Sequence, residues 1–207
     1  MPTPVELCNR ALILLSEKAI TSLSDSTLAA EVCNRVYKPA VLYVLQSGDW
    51  PFATETAILS AATHTSLAGW KYVYTYPANA LRILEIFSKR EAPWPPEHQR
   101  GDTAFEVGST AAGDSLVFTN TEDARVRYIS TTVADKPDEF DPLFSQAVVY
   151  WIASQIAAAI VALDPGYKLS SQFRKYAMET IKEARVSAYV QSKGLQDTES
   201  SFIKARR

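Results

Sequence analysis

The sequence predicts an α+β fold: a four-helix bundle interrupted by an inserted antiparallel β-rich module and followed by an extended C-terminal tail. Three observations carry that expectation. Apolar residues recur at three- to four-residue steps before Trp50 and again after Asp141. Between Trp50 and Asp135 the period drops to two, with turn residues between short runs. Beyond Gly194 the chain turns polar and keeps few apolar residues. The expected segments are 1–50 for the first two helices, 51–134 for the β-rich insertion, 135–194 for the last two helices and 195–207 for the tail.

The first helix is expected from about Pro4 to Glu17, with Thr3 as its N-cap and Pro4 in the first turn. Leu7, Cys8, Ala11, Leu12, Leu14 and Leu15 make its apolar stripe. A polar connector, Ile20-Thr21-Ser22-Leu23-Ser24-Asp25, carries two apolar anchors. Asp25 then reads as the N-cap of the second helix, whose buried face is expected at Leu28, Val32, Val36, Ala40 and Tyr43. Pro39 falls within it and predicts a kink between Arg35 and Lys38, and Gly48 reads as the C-terminal cap.

Strands are expected from Lys71 to Tyr76, Leu81 to Phe87, Ala104 to Val107, Ser115 to Phe118 and Arg125 to Ile129, folded into a small sandwich or barrel. The segment Pro93-Trp94-Pro95-Pro96 reads either as a stiff loop or as a polyproline recognition segment. Asp141-Pro142 and Asp164-Pro165 each place a capping carboxylate before a proline in the first helical turn. The third helix, from Pro142 to Leu163, is apolar on almost every side and must be covered all round. A membrane span is the competing reading, but Ser145, Gln146, Ser154 and Gln155 interrupt its apolar run. The fourth, from about Tyr167 to Ser192, sets Phe173, Ala177, Ile181, Ala184 and Ala188 against a charged face. The tail after it should order only on binding.

Composition narrows the function classes. Seven glycines, none in a phosphate-cradling loop, argue against nucleotide binding. A net charge of −2 argues against a surface that grips duplex DNA by its phosphates. His64 and His98 have no second His or Cys at ligand spacing, so no zinc site is expected. The acidic run Asp135, Asp138, Glu139 and Asp141 lacks the spacing of a calcium loop and reads as charge near a helix N-terminus. Cys8 and Cys33 lie in apolar helical patterns; they read as small buried hydrophobes, with a disulfide between packed helices as the alternative. Tyr72, Tyr74 and Tyr76 share one strand face, suited to core packing or to stacking on a base or sugar. No signal peptide is read at Met1-Pro2-Thr3-Pro4, which predicts a chain made in the cytoplasm. No catalytic constellation emerges, so the expectation is a protein that is not an enzyme and takes no cofactor or metal.

The order of motifs resembles a known family. The stretch from Glu6 to Glu17, then Ile20-Thr21-Ser22-Leu23, is similar to the opening of the head-to-tail adaptors of short-tailed bacteriophages, the tail tubular protein A-like family. The similarity continues from Ala29 to Tyr37, through Asp49-Trp50-Pro51-Phe52-Ala53, and through Tyr74-Thr75-Tyr76-Pro77 with Leu81-Arg82-Ile83. The resemblance implies a structural virion protein that forms a dodecameric ring under the portal. Such a ring extends the channel for passing double-stranded DNA without reading its sequence. It also offers a platform to the downstream tail or nozzle protein, with a tail fibre as a further partner. The same resemblance gives portal binding to the tail, through Leu195, Phe202, Ile203, Lys204, Arg206 and Arg207. It places the protein in the virion neck after assembly in the host cytoplasm, with no membrane partner. A ligand- or fibre-binding module built on the β insertion is the alternative.

Overall fold

The computed structural model describes residues 2–63, 69–88, 104–161 and 164–193. His64, His98, the Pro93 to Pro96 segment and the portal-binding residues assigned to the tail lie outside the described residues. Those described form four α-helices and two three-stranded antiparallel sheets, an α+β fold.

Helix α1 (Pro4–Leu14) starts on a capping box: Thr3 Oγ1 accepts from Glu6 N at 3.2 Å and Glu6 Oε2 accepts from Thr3 N at 2.7 Å. It stops short of the expected Glu17. Ser16 is left-handed (φ 60°), so Glu17 N donates to Leu12 O and Ser16 N to Ile13 O, the Schellman closure of a helix end. Leu7, Cys8, Ala11, Leu12 and Leu15 are buried, whereas Leu14 is partly exposed. Asn9 clamps the connector to this helix, accepting from Ile20 N at 2.8 Å and donating to Ile20 O at 2.9 Å.

Helix α2 (Leu28–Gln46) is capped by Thr27 rather than Asp25; Thr27 Oγ1 accepts from Ala30 N at 3.2 Å. Asp25 is occupied upstream, where its carboxylate accepts from Ser22 N and Thr21 N. Those backbone hydrogen bonds hold its carboxyl below the ordinary carboxylate range. The helix continues through Pro39. Its buried face is Ala30, Cys33, Tyr37, Ala40, Val41, Val44 and Leu45; of the expected stripe Ala40 is buried, Val32 and Val36 are half-buried, and Leu28 and Tyr43 are exposed. At about 100° per residue, that face is turned roughly a third of a turn from the expected stripe. Both sides of this helix are apolar, and the side with the small Ala30, Cys33 and Ala40 comes closest to its neighbours. Ser47 closes the helix, its Oγ donating to Val44 O at 2.6 Å. Gly48 is not left-handed and therefore not the cap.

Helix α3 (Pro142–Ile160) begins where Asp141 accepts from Leu143 N at 2.9 Å, as the sequence predicts. By length and composition it is apolar enough to cross a membrane. It instead runs through the core, with Phe144, Val148, Ile152 and Ile156 fully buried among residues of α1, α2 and the last helix, α4 (Asp164–Lys193). Its own chain therefore covers much of it, while Gln155, Ala158 and Ala159 stay exposed. Trp151 is covered by Tyr43, stacked at 3.8 Å, and by the Arg174 guanidinium at 5.7 Å. Helix α4 buries the expected Phe173, Ala177, Ile181, Ala184 and Ala188.

Between α2 and α3 lie β1 (Thr54–Ile58), β2 (Tyr72–Thr75), β3 (Ala80–Ser88), β4 (Phe105–Ser109), β5 (Ser115–Thr119) and β6 (Ala124–Ser130). One sheet runs β1-β6-β3 and the other β2-β5-β4. The chain after β1 ties them together: Leu59 N donates to Ala124 O in the first sheet, and Ser60 O accepts from Thr75 N beside the second. Leu59, Tyr74, Ile83, Ile86, Val117 and Val126 form one apolar core between the sheets, a small sandwich. Strand β1 has no counterpart in the sequence reading, because Thr54-Glu55-Thr56 offers little apolar alternation.

The turn from α3 into α4 depends on Gly166. A Cβ there would stand 2.0 Å from Val161 O and 3.0 Å from Ala157 O, both backbone. Gly166→Ala is expected to lower stability by roughly 1–3 kcal/mol, since backbone must move to admit the methyl. Urea unfolding followed by circular dichroism measures it; an unchanged midpoint would show that the corner adapts freely.

Candidate functional site

The structure disperses most of the residues singled out for chemistry. Asp135 pairs with Lys38 at 3.0 Å, Glu139 with Lys136 at 3.1 Å, and Asp141 caps α3, so three carboxylates of the acidic run have separate local partners. Among the described residues no group of three potential metal ligands comes together. Cys8 and Cys33 are free, buried thiols that meet between α1 and α2. Their mutual hydrogen bond and their burial push the Cys8 thiol far up, which keeps it protonated and unreactive.

The tyrosine face of β2 turns inward. Tyr74 is buried in the sandwich core with its hydroxyl donating to Thr121 O at 3.0 Å, and Tyr72 and Tyr76 pack against the same core. A face spent on packing cannot stack on a base or sugar. The ligand-binding reading of the insertion loses its main motive there.

A polar knot ties β1 to β6, to the turn before β3 and to the short turn after β6. Glu55 on β1 accepts from Tyr128 OH at 2.9 Å, Asn79 Nδ2 at 3.1 Å and Thr132 Oγ1 at 3.1 Å. Partial burial works to raise its carboxyl, but hydrogen bonds from Ser130, Tyr128, Thr132 and Asn79 outweigh that and hold it below the ordinary range. Burial first, and the bond to Glu55 second, push the Tyr128 hydroxyl up. An ionised, fully engaged carboxylate beside a neutral phenol serves to fix three segments rather than to move protons.

The second polar constellation is open. A cleft of about 560 Å³ lies where α4 crosses the end of α2. Its cationic walls are Arg82 of β3 and Lys182 and Arg185 of α4, with Asp49 as its one carboxylate and Val186 and Tyr189 as its apolar side. Gly48 is essential to its shape: a Cβ there would meet Arg185 Cγ at 2.8 Å and Trp50 Cζ2 at 3.0 Å. Arg82 is fixed by donating to Gly48 O at 3.1 Å and to Asp49 Oδ1 at 2.5 Å, and its Nε is buried without a partner. Lys182 and Arg185 are exposed and form no ion pair among the described residues. Sequence reasoning places Lys182 and Arg185 on a solvated face and Arg82 in an apolar strand. The available signal is a lone arginine amid Leu81, Ile83 and Leu84, because a charge in such a run needs a partner.

The chain matches no known protein family, and no curated protein is similar to it. The site is thus read from its own geometry.

Glu55 gives a test with a definite sign. Its folded carboxyl lies below the unfolded one, so its stabilisation is complete above the unfolded value and is lost as pH falls through the folded one. Glu55→Gln is expected to cost about 1–2 kcal/mol near neutral pH, because charge-assisted bonds become neutral ones. The variant should also lose part of the acid limb of the stability profile. Denaturant midpoints at a series of pH values measure both, and parallel profiles for the two proteins would overturn the assignment.

Proposed function

We propose that this chain is a structural subunit of a virion, a head-to-tail adaptor whose helices form a four-helix bundle carrying the β sandwich. In this reading twelve copies close into a ring under the portal. The ring extends the channel for passing DNA and presents a platform to the tail or nozzle protein. The chain has no catalytic turnover and works in the virion neck after assembly in the host cytoplasm.

The observation that carries the reading is the outer face of α4. Met178, Val186, Tyr189 and Val190 share a side of this helix roughly opposite its core face, and all are exposed, Val186 by 66%. An apolar stripe on the wet side of a helix that already has a filled core face marks a protein contact. A closed ring gives each subunit two such contacts by joining unlike surfaces. The sequence resemblance supplies the kind of ring, and the α+β order of two helices, sandwich and two helices accords with it.

Light scattering on the purified chain, alone and with portal protein, tests assembly. Multi-subunit particles are expected; a single-subunit mass under every condition overturns the ring. Combining Val186→Glu with Val190→Glu should convert the particles to single subunits while leaving helix content unchanged. A second experiment addresses the tail. Deleting 195–207 is expected to leave the fold intact and weaken portal capture by about tenfold or more, as losing apolar anchors does at interfaces. Undiminished capture would sink the role given to Leu195, Phe202, Ile203, Lys204, Arg206 and Arg207.

A further inference from the structure

We infer that the cleft between the end of α2, Arg82 and α4 is a receptor for a carboxylate-bearing peptide segment of a protein partner. This inference rests on reading the outer side of α4 as a docking face, and it adds the chemistry of what docks there.

Charge is the first argument. Three cations, Arg82, Lys182 and Arg185, line the cleft against one carboxylate, Asp49. Two of the three have no acidic partner among the described residues. Lys182 and Arg185 stand three apart on α4, so they lie on one side of the helix and address the same space. The cleft already displays the recognition it would use, since Arg82 holds the Asp49 carboxylate with its Nη2.

Shape and composition give the second argument. At about 560 Å³ the cleft holds a few side chains rather than a folded surface. Val186 and Tyr189 line it as well, exposed on α4 beside Lys182 and Arg185. An acidic segment interspersed with apolar residues satisfies both kinds of lining at once.

The third argument separates this occupant from a nucleic acid. A duplex backbone needs a continuous cationic track. Here Glu179 and Glu183 flank Lys182 on α4 and Asp49 stands in the cleft, so carboxylates interrupt the cations around this recess. A peptide carboxylate fits a recess, and a row of phosphates does not.

The test uses the full chain and a short fluorescein-labelled peptide alternating glutamate with leucine. Anisotropy should rise on titration at low salt, and the affinity should fall as salt screens the contact. The same peptide with glutamine for glutamate should bind weakly. Combining Lys182→Glu with Arg185→Glu should weaken binding by roughly tenfold or more. Lys182→Glu alone, at an exposed position, should show a smaller loss, and Lys168→Glu on the same helix should bind as the parent. No rise with the glutamate peptide overturns the inference, as does equal binding of the glutamine peptide or unaltered binding by the double variant. Displacement by a duplex oligonucleotide at lower concentration than by unlabelled peptide also overturns it, in favour of a phosphate site. Light scattering on the same samples reports assembly separately, so a failed cleft and a failed ring give different results.

Discussion

The fold depends on an aromatic knot at the place where the helices hand the chain to the sandwich and take it back. Trp50 follows α2, Phe52 opens the path into β1, Phe140 precedes α3 and Phe144 stands in its first turns. Phe144 meets Trp50 edge-on at 5.0 Å, Phe52 at 5.0 Å and Phe140 at 4.9 Å. Such edge-to-face contacts add about 0.5–1.5 kcal/mol each beyond area burial. The indole also completes α2, its Nε1 donating to Val44 O and Leu45 O, carbonyls that a helix end otherwise leaves without partners. One residue thus closes a helix, fills the core and pins the exit of an inserted module.

The position of the cleft follows from that knot. With Trp50 buried against Phe144, the turn at Ser47, Gly48 and Asp49 is held beside α4, and the absence of a side chain at Gly48 lets the Arg185 stem lie against the indole. Arg82 reaches the same turn from β3 and bonds to Gly48 O and Asp49. The open site is a by-product of how tightly sandwich and helices are joined. Of its cations, Arg82 is held by the Gly48 carbonyl and the Asp49 carboxylate.

Much of this was legible in the sequence, for identifiable reasons. Core positions on α1 and α4 followed from a single apolar stripe on each helix, and the caps at Thr3 and Asp141 followed from hydroxyl or carboxylate chemistry directly before proline-containing first turns. The buried side of α2 was not legible because two of its sides are apolar. Asp25 misled because a carboxylate serves a connector as well as it serves a helix. Strand β1 escaped because its stability comes from pairing with β6 and from the Glu55 knot, neither of which leaves a local pattern. The cleft escaped for the same reason: Arg82 and Arg185 are separated by the whole of β4, β5, β6 and α3.

Helix α4 shows how one helix can serve a core on one side and present an apolar face on the other. Its inner face uses alanines at 177, 184 and 188 beside Phe173 and Ile181, which brings it close to α3. On the opposite face Met178, Val186 and Val190 are exposed, and in the proposed assembly a second surface would take them out of water. The cations beside them would add direction to such a contact, since apolar area is indifferent to its partner while a guanidinium is not. Affinity and selectivity would then reside on one helix, positioned by an aromatic knot at the far end of α2.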